Sequence, residues 1–118
     1  MEQRRTARFP FSASAEVIRA DLSELTLVTE LSLRGCHLQP ITPLPRGTLV
    51  TVKIFSSGEV FEALATVLYS RATIGMGLSF REVKPEFQRV LRKWMRQALD
   101  TSDAALPPIR DGKSEMDS

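Results

Sequence analysis

The sequence predicts a mainly β protein: an antiparallel barrel or sandwich of six strands, followed by one C-terminal α-helix. Between residues 9 and 80, apolar residues recur at every second position in six short segments, the period of a strand with one buried face. From residue 85 they recur at every third or fourth position, the period of an amphipathic helix. Short strands joined by turns at this spacing are typical of antiparallel sheets that close or stack.

Three strands are expected in the first third of the chain. Alternation predicts a strand over residues 9–17, a turn at 21–23 and a second strand over 25–31. Gly35 breaks the pattern, and a third strand over 36–41 ends among several prolines. The alternating set of the second strand is Leu25, Leu27, Thr29 and Leu31.

Three more strands are expected around a central hairpin. Residues 50–54 and 61–69 alternate on either side of a predicted turn at Ser57–Gly58, and a sixth strand covers 74–80. The alternating set of the fifth strand is Phe61, Ala63, Ala65, Val67 and Tyr69. One face of the sixth strand has small residues that permit close backbone approach: Gly75, Gly77 and Ser79.

The final helix is predicted from Pro85, which suits a first helical turn because its missing N–H has no partner there. Glu86 is well placed at the positive end of the helix dipole. An apolar stripe on this helix is expected to pack on the sheet: Phe87, Val90, Leu91, Trp94, Met95, Ala98 and Leu99. The opposite face is cationic: Arg89, Arg92, Lys93 and Arg96.

The 118 residues are enough for one domain, with 42% apolar and 25% charged residues, as in ordinary globular proteins. The net charge of +2 divides into −3 over residues 100–118 and +5 over the rest. We therefore expect a flexible basic arm at 1–8, a folded domain at 9–99 and a disordered acidic tail at 100–118.

One cysteine and no long apolar run fit a cytoplasmic protein without a membrane span.

Catalytic and metal sites are not expected. Cys36 and His37 are strand neighbours and project to opposite faces, and no second histidine exists. No phosphate-cradling glycine loop or serine–histidine–acid set is present. The sequence therefore predicts a binding protein with no catalytic residues and no metal.

Two polar features point to an anionic planar ligand. Arg4 and Arg8 leave the chain on the same side, and a guanidinium fork matches phosphate oxygens or the edge of a guanine. Glu30 and Ser32 share one strand face, where a carboxylate can accept from guanine N–H groups. Taken singly, the arginines are more typical of a solvated chain end, and the Glu30–Ser32 pair is more typical of an ordinary polar hairpin end.

In this order the features resemble the PilZ domain family, bacterial receptors for the second messenger cyclic di-GMP. The family's RxxxR motif before the first strand is matched by Arg4 and Arg8. Its (D/N)xSxxG motif between the second and third strands is matched by residues 30–35, and residues 75–80 are similar to its glycine-flanked closing strand. The resemblance covers about residues 3–99 and implies a six-stranded antiparallel β-barrel with a C-terminal helix.

The resemblance also implies the function and its residues. Arg4 and Arg8 would clamp phosphate and guanine edges while Arg5 adds charge to the arm. Ser32, together with Glu30, would read a guanine, and Gly35 would shape the turn. The arm is expected to become ordered around cyclic di-GMP and to signal through a downstream protein partner, without catalysis or a further cofactor.

One position departs from the family motif, because Glu30 stands where Asp or Asn is expected. The extra methylene moves the carboxylate by about 1.5 Å. Such a displacement is expected to cost about 1–3 kcal/mol, or about 5- to 150-fold in affinity. An alternative is therefore a PilZ adaptor with weak or no nucleotide binding that acts through protein contacts. Nucleic-acid binding is disfavoured, because few outward strand positions are aromatic.

Overall fold

The computed structural model describes residues 9–105, with side chains over 9–98. Within this range the predicted fold class is confirmed, with six antiparallel strands in a closed barrel and one C-terminal helix. The elements are β1 (Phe9–Arg19), β2 (Leu22–Leu31), β3 (Gly35–Leu38), β4 (Leu49–Ser56), β5 (Glu59–Arg71), β6 (Gly75–Glu82) and α1 (Pro85–Ala105).

The strands follow the order β1-β2-β3-β6-β5-β4, and β1 also pairs with β4 to close the barrel. Closure gives every strand two neighbours, so no open sheet edge is left among the described strands. In this order the β3–β6 pair lies on the opposite side of the barrel from the β1–β4 pair.

The barrel interior is filled by the inward side chains of all six strands. Apolar residues at alternate positions are almost completely buried, among them Val28, Leu38, Ile54, Phe61 and Leu78. The one buried polar residue of the strand interior, Thr26, donates its hydroxyl to the Pro40 carbonyl over 2.6 Å. That bond offsets the cost of removing the hydroxyl from water.

The helix covers one end of the barrel with its apolar stripe. Leu91, Trp94 and Met95 are buried in the same core as the strands. The Trp94 ring stacks on Phe11 with centroids 5.5 Å apart, and its indole N–H donates to Glu59 over 3.2 Å. The predicted docking of α1 on the sheet is confirmed.

The outer surface of the β1–β4 side carries exposed large apolar residues. The pairing register places Leu27, Ser14, Phe55 and Val60 in one row across β2, β1, β4 and β5. Leu25, which is 75% exposed, continues the patch along β2. We call these side chains the apolar face: Leu25, Leu27, Phe55 and Val60.

Several predicted boundaries differ from the structure. The β1–β2 turn lies at Ala20–Asp21 instead of 21–23, because Ala20 takes a positive φ of 56° that closes a tighter hairpin. The β3 strand ends at Leu38 instead of residue 41, ahead of the cis Gln39–Pro40 peptide. The helix continues to Ala105, beyond the predicted end at 99, since no residue before Pro107 forbids helix.

The second strand also uses its faces differently from the simple alternation of leucines. Leu25 and Leu27 lie outside, while Thr26 and Val28 lie inside. An irregularity in the register between Val28 and Glu30 then brings Leu31 to the interior. One bulge is enough to change the face of every residue beyond it.

Candidate functional site

The described residues leave out all three arginines of the predicted arm: Arg4, Arg5 and Arg8. The strand into which that segment leads is placed, with Phe9 paired to Leu31 and Pro10 paired to Glu30. Arg8 is bonded to Phe9, so the Cα atoms of the two residues are about 3.8 Å apart. The N-terminal segment therefore joins the barrel directly beside the motif of residues 30–35.

Glu30 lies near the end of β2, where it is partly buried and pairs with both Pro10 and His37. It immediately precedes Leu31, whose side chain is buried in the core. Because successive strand residues project to opposite faces, the Glu30 side chain takes the outer face of the barrel. The carboxylate thus lies on the outer surface, beside the end of β1 at which Phe9 and Pro10 pair with β2.

Ser32 stabilises the turn between β2 and β3 through hydrogen bonds of its hydroxyl and its amide to residues of the same turn. Its Oγ accepts hydrogen bonds from the amides of Arg34 and Gly35, both over 3.1 Å. The same hydroxyl donates to the Gly35 carbonyl over 3.3 Å, and the Ser32 amide donates to that carbonyl over 2.9 Å. One donor and two acceptor positions are all that a hydroxyl has. Ser32 is only 7% exposed, so the geometry assigns it first to shaping the loop, and direct reading of a guanine stays a prediction.

Gly35 begins β3, and the space around it explains why no side chain is present. A Cβ at this position would overlap the Leu78 carbonyl oxygen and lie 3.1 Å from the Leu78 carbonyl carbon. Both are backbone atoms of β6, with which Gly35 pairs through Ser79. The predicted role of Gly35 in shaping a turn therefore has a different physical basis: it permits close approach of two strands.

The register extends the site into a row across four adjacent strands. Glu30 of β2 pairs with His37 of β3, His37 pairs with Gly77 of β6, and Gly77 pairs with Tyr69 of β5. We call the outer surface of β3 and β6 the glycine face, defined by Gly35, His37, Gly75 and Gly77. The motif of residues 30–35 borders this face.

The Tyr69 ring lies across Gly77 and is fixed at its hydroxyl. A Cβ at Gly77 would be 2.5 Å from Tyr69 Cζ, so only glycine leaves room for the ring. The Tyr69 hydroxyl lies 2.8 Å from His37 Nδ1, and His37 Nε2 lies 2.8 Å from the Ile74 carbonyl oxygen. A carbonyl only accepts, so Nε2 is the donor to Ile74, and the tautomer with its proton on Nε2 leaves Nδ1 to accept a hydrogen bond from the Tyr69 hydroxyl.

Sequence reasoning missed Tyr69 and His37 as members of this surface. Alternation placed Tyr69 on the face of Val67, but a register shift between these residues turns Tyr69 outward. Ile74, predicted as the start of the sixth strand, lies in the preceding turn and supplies the carbonyl that holds His37. The sequence signal that could have found Tyr69 was the run of small residues on one face of β6. An aromatic ring on a neighbouring strand often packs over strand glycines.

Cys36 is unsuited to nucleophilic chemistry. Its thiol is buried, and burial raises its pKa to about 12. At neutral pH it is therefore protonated and inert. Over the part of the chain that the structure describes, no group of three His, Cys, Asp or Glu side chains is placed to hold a metal ion.

The cations of α1 are all exposed: Arg89, Arg92, Lys93 and Arg96. Lys93 forms an ion pair with Glu59 over 3.2 Å, which ties the helix to the β4–β5 hairpin. Within residues 9–105, no helix combines the length and apolar character that a membrane crossing requires.

Comparison with solved structures shows the same fold in PilZ domains. The inhibitor of motility MotI/DgrA of Bacillus subtilis gives a TM-score of 0.68 at 14% identity, over 90% of this chain and 54% of that one. This chain thus spans about half the length of the Bacillus protein. The PilZ domain of Escherichia coli YcgR, solved with cyclic di-GMP, gives 0.67 at 17% identity over 87% and 96% of the two chains.

A third structure, the PilZ domain of CeSA from a cellulose-synthesizing bacterium, gives a TM-score of 0.62 at 15% identity, over 81% of this chain and 98% of that one. At such identities the likeness establishes the fold alone. A sequence comparison with curated proteins gives no match. A sequence model of the PilZ domain matches residues 2–97, which is most of the chain. The closed barrel, the turn at residues 30–35 and this match together show that the chain belongs to the PilZ domain family.

Proposed function

We propose that this PilZ domain is a receptor for cyclic di-GMP, without catalysis, that passes the signal on through protein contacts in the cytoplasm. The observation that carries the proposal is the pairing of Phe9 with Leu31 and of Pro10 with Glu30. This pairing joins the arginine-bearing segment to the barrel beside the Glu30–Gly35 motif. The segment that carries the arginines and the motif of residues 30–35 are distant in sequence, but they are therefore connected to adjacent points of the barrel.

The chemistry of the two half-sites is complementary to a cyclic dinucleotide. Arg4 and Arg8 offer guanidinium forks that match phosphate oxygens and the O6/N7 edge of guanine, and Arg5 adds positive charge. Glu30 offers a carboxylate on the outer face that can accept from guanine N1–H and N2–H. Supporting this assignment, the solved YcgR PilZ domain contains cyclic di-GMP.

The proposed mechanism is a closing of the arm on the ligand. The turn built by Ser32 is fixed by its own hydrogen bonds, so the barrel half of the site is already formed. Binding then needs to order only the arm, whose arginines gain partners when the anionic ligand arrives. The closed arm presents a new surface to a protein partner.

Isothermal titration with cyclic di-GMP tests the proposal. Wild type is expected to bind, and Arg8→Ala is expected to weaken binding about 10- to 150-fold, because a charge-assisted hydrogen bond contributes about 1.5–3 kcal/mol. Arg19→Ala is the matched control, since Arg19 is an exposed arginine at the other end of β1. A folded wild type that gives no heat at tens of micromolar protein contradicts the proposal.

A second candidate function is an adaptor that binds protein partners with weak or no nucleotide binding. Two observations favour it: Glu30 in place of the family's Asp or Asn, and the apolar face on the opposite side of the barrel. An exposed apolar patch of this kind is typical of a protein-binding surface.

The Glu30→Asp variant separates the two candidates. If Glu30 weakens the nucleotide site, Glu30→Asp gains affinity, and the same exchange at Glu62, an outward residue of β5, leaves it unchanged. If neither the wild type nor Glu30→Asp binds, and Arg4→Ala and Arg8→Ala leave function in cells unchanged, the adaptor function is supported.

A further inference from the structure

The outer surface where β1 pairs with β4 has a pattern of side chains that the proposed receptor function does not use. Strand alternation turns three residues of each strand outward, while neighbours such as Val17 and Ile54 are buried inside. The pairing register places the outward residues side by side in three rows. We call this surface the β1–β4 seam: Ser14 beside Phe55, Glu16 beside Lys53, and Ile18 beside Thr51.

The first row of the seam places a large apolar ring beside a small polar side chain. Phe55 is 41% exposed, although phenylalanine is among the residues most often buried. Ser14 is also exposed, but its side chain does not reach as far from the sheet as the ring does. The surface therefore has a projection at Phe55 and a recess at Ser14. Exposed apolar side chains continue the row on both sides, Leu27 beyond Ser14 and Val60 beyond Phe55.

The second row carries one negative and one positive side chain. Glu16 and Lys53 are partly exposed and lie directly opposite each other on adjacent strands. Neither side chain forms an ion pair or a hydrogen bond with any residue that the structure describes. Both charges are therefore available to the charges of a second molecule.

The seam is complementary to itself. A two-fold axis that runs along the strands, between β1 and β4, places β1 of one copy over β4 of the other, so that each row meets the same row in reverse order. Phe55 then lies in the recess at Ser14 of the second copy, and Glu16 lies against Lys53 of the second copy. The symmetry repeats each of these contacts.

The charges also exclude the other simple arrangement of two copies. An axis at right angles to the strands would place Glu16 against Glu16 and Lys53 against Lys53, and like charges in such contacts are strongly disfavoured. Two sheets that pack face to face with nearly aligned strands are a common arrangement, about 10 Å apart. The row of Glu16 and Lys53 therefore selects the axis along the strands.

The size of the surface suits a dimer that dissociates readily. Four strands about 4.8 Å apart and three rows about 6.8 Å apart give about 400 Å² per copy in projection. Because the barrel is convex, β1 and β4 form the centre of this area and β2 and β5 form its rim. Such an area corresponds to the lower end of specific interfaces.

We propose that the β1–β4 seam is the interface of a two-fold symmetric homodimer, in which Phe55 of each copy packs against Ser14 of the other and Glu16 pairs with Lys53. The proposal does not depend on cyclic di-GMP. The β3–β6 pair lies on the opposite side of the barrel, so the dimer leaves both glycine faces accessible.

Sedimentation equilibrium of the full-length protein without nucleotide tests the dimer. Between about 1 and about 500 µM, wild type is expected to change from monomer to dimer with a Kd on the order of 10 µM. Phe55→Ser is expected to raise this Kd at least about 10-fold, because the symmetric interface loses an aromatic anchor twice. Leu68→Ser is the matched control, since Leu68 is 51% exposed but lies outside the seam, and it is expected to dimerise as wild type does.

A mixing experiment tests the register of the two copies. Glu16→Lys and Lys53→Glu each create like-charge contacts in their own homodimer, so each alone is expected to dimerise at least about 10-fold more weakly than wild type. In a mixture of the two variants, every Lys faces a Glu of the other chain, and dimers are expected to form again. Repair across two molecules cannot come from a change within one barrel.

Variants with the same changes of net charge outside the seam control for general attraction between unlike proteins. Glu82→Lys and Arg71→Glu change exposed residues of β6 and β5, and each alone is expected to dimerise as wild type does. A wild type that stays monomeric at the highest concentration overturns the proposal. A dimer that Phe55→Ser and both charge variants leave unchanged uses another surface and overturns it equally, as does a mixture of Glu16→Lys and Lys53→Glu that stays monomeric.

Discussion

The two opposite sides of this barrel, the glycine face and the apolar face, differ in their outward side chains although their inward side chains are alike. Inside, β3 and β6 contribute Leu38 and Leu78, and β1 and β4 contribute Val17 and Ile54, all buried. Outside, the apolar face carries large exposed side chains, whereas the glycine face carries three glycines, one of which, Gly77, lies beneath the Tyr69 ring.

The difference shows which constraints come from folding and which do not. A closed barrel requires apolar inward residues on every strand, and both sides supply them. A closed barrel in general does not require glycines on its outer surface, where a glycine weakens a strand by about 0.5–1 kcal/mol relative to alanine. Here Gly35 is required by the close approach of β6. The glycine face accepts that cost where the motif of residues 30–35, the strand junction at Phe9 and the Tyr69 ring all meet.

The largest expected effect comes from adding one methyl group at Gly35. In Gly35→Ala the new Cβ would overlap the Leu78 carbonyl, and neither strand can move without breaking its ladder. We expect the free energy of unfolding to fall by about 1–3 kcal/mol. Urea unfolding followed by the fluorescence of Trp94, the only tryptophan, measures it.

Ser14→Ala on the opposite side of the barrel is the matched control. Ser14 is exposed at the centre of the apolar face, so this change is expected to stay within about 0.5 kcal/mol. Equal unfolding midpoints for the two variants would show that the β3–β6 approach is not as close as the structure gives it.

A methyl group at Gly77 is expected to act on binding more than on stability. The atoms that Gly77→Ala meets belong to the far end of the Tyr69 side chain, which can swing away at little cost. Displacing the Tyr69 ring from the glycine face is expected to weaken cyclic di-GMP binding about 5- to 150-fold by titration calorimetry.

Gly58→Ala is expected to show the opposite combination. Gly58 has open space around it but a φ of +77°, which an alanine adopts at a cost of about 1–2 kcal/mol. Its stability should fall while its affinity stays at the wild-type value. If Gly77→Ala leaves the affinity for cyclic di-GMP unchanged, the glycine face does not contribute to binding more than the rest of the surface, which would contradict this prediction.

At the helix-covered end of the barrel, Glu59 is expected to matter through Trp94. Glu59→Ala leaves the buried indole N–H without its acceptor, and such an orphaned donor costs about 1–3 kcal/mol. Glu59→Gln keeps an acceptor oxygen and should lose less than about 1 kcal/mol. Urea unfolding of both variants checks this, and a larger loss for Glu59→Gln would indicate that the Lys93 ion pair dominates.

The smallest expected effect is a gain in stability at the hairpin that borders the apolar face. Ala20 has a φ of 56°, a conformation that glycine adopts without strain. Ala20→Gly is expected to raise the free energy of unfolding by about 0.5–1 kcal/mol. Ala13→Gly in β1 should lower it by a similar amount, and a loss in both variants would contradict the strain at Ala20.

Much of the fold was predictable because alternation and helical periodicity report burial directly. The six strands, their antiparallel arrangement and the docking stripe of α1 are confirmed, with Leu91 and Trp94 buried as expected. Element ends were less predictable. They depend on tertiary features such as the hairpin at Ala20 or the continuation of α1 to Ala105 after its apolar stripe ends.

The candidate site was predictable only where a linear motif exists. The positions of Glu30, Ser32 and Gly35 could be predicted from their spacing, although the contacts that explain Ser32 and Gly35 lie in the turn and in β6. Tyr69 could not be placed, because a single bulge reverses its face and leaves no mark in the alternation. The arm and the acidic tail beyond residue 105 lie outside the described residues, so their predicted disorder stays a prediction.

The most direct test of the glycine face as the binding surface is a map of backbone amide shifts during titration with cyclic di-GMP. Two-dimensional nitrogen–proton NMR of full-length, uniformly labelled protein reports every amide at once. The expected shifts concentrate in residues 4–9, 30–37 and 69–79, with little change in residues 14–18 and 51–55 of the opposite side. Shifts concentrated in the latter ranges, or none at saturating ligand, would contradict the assignment.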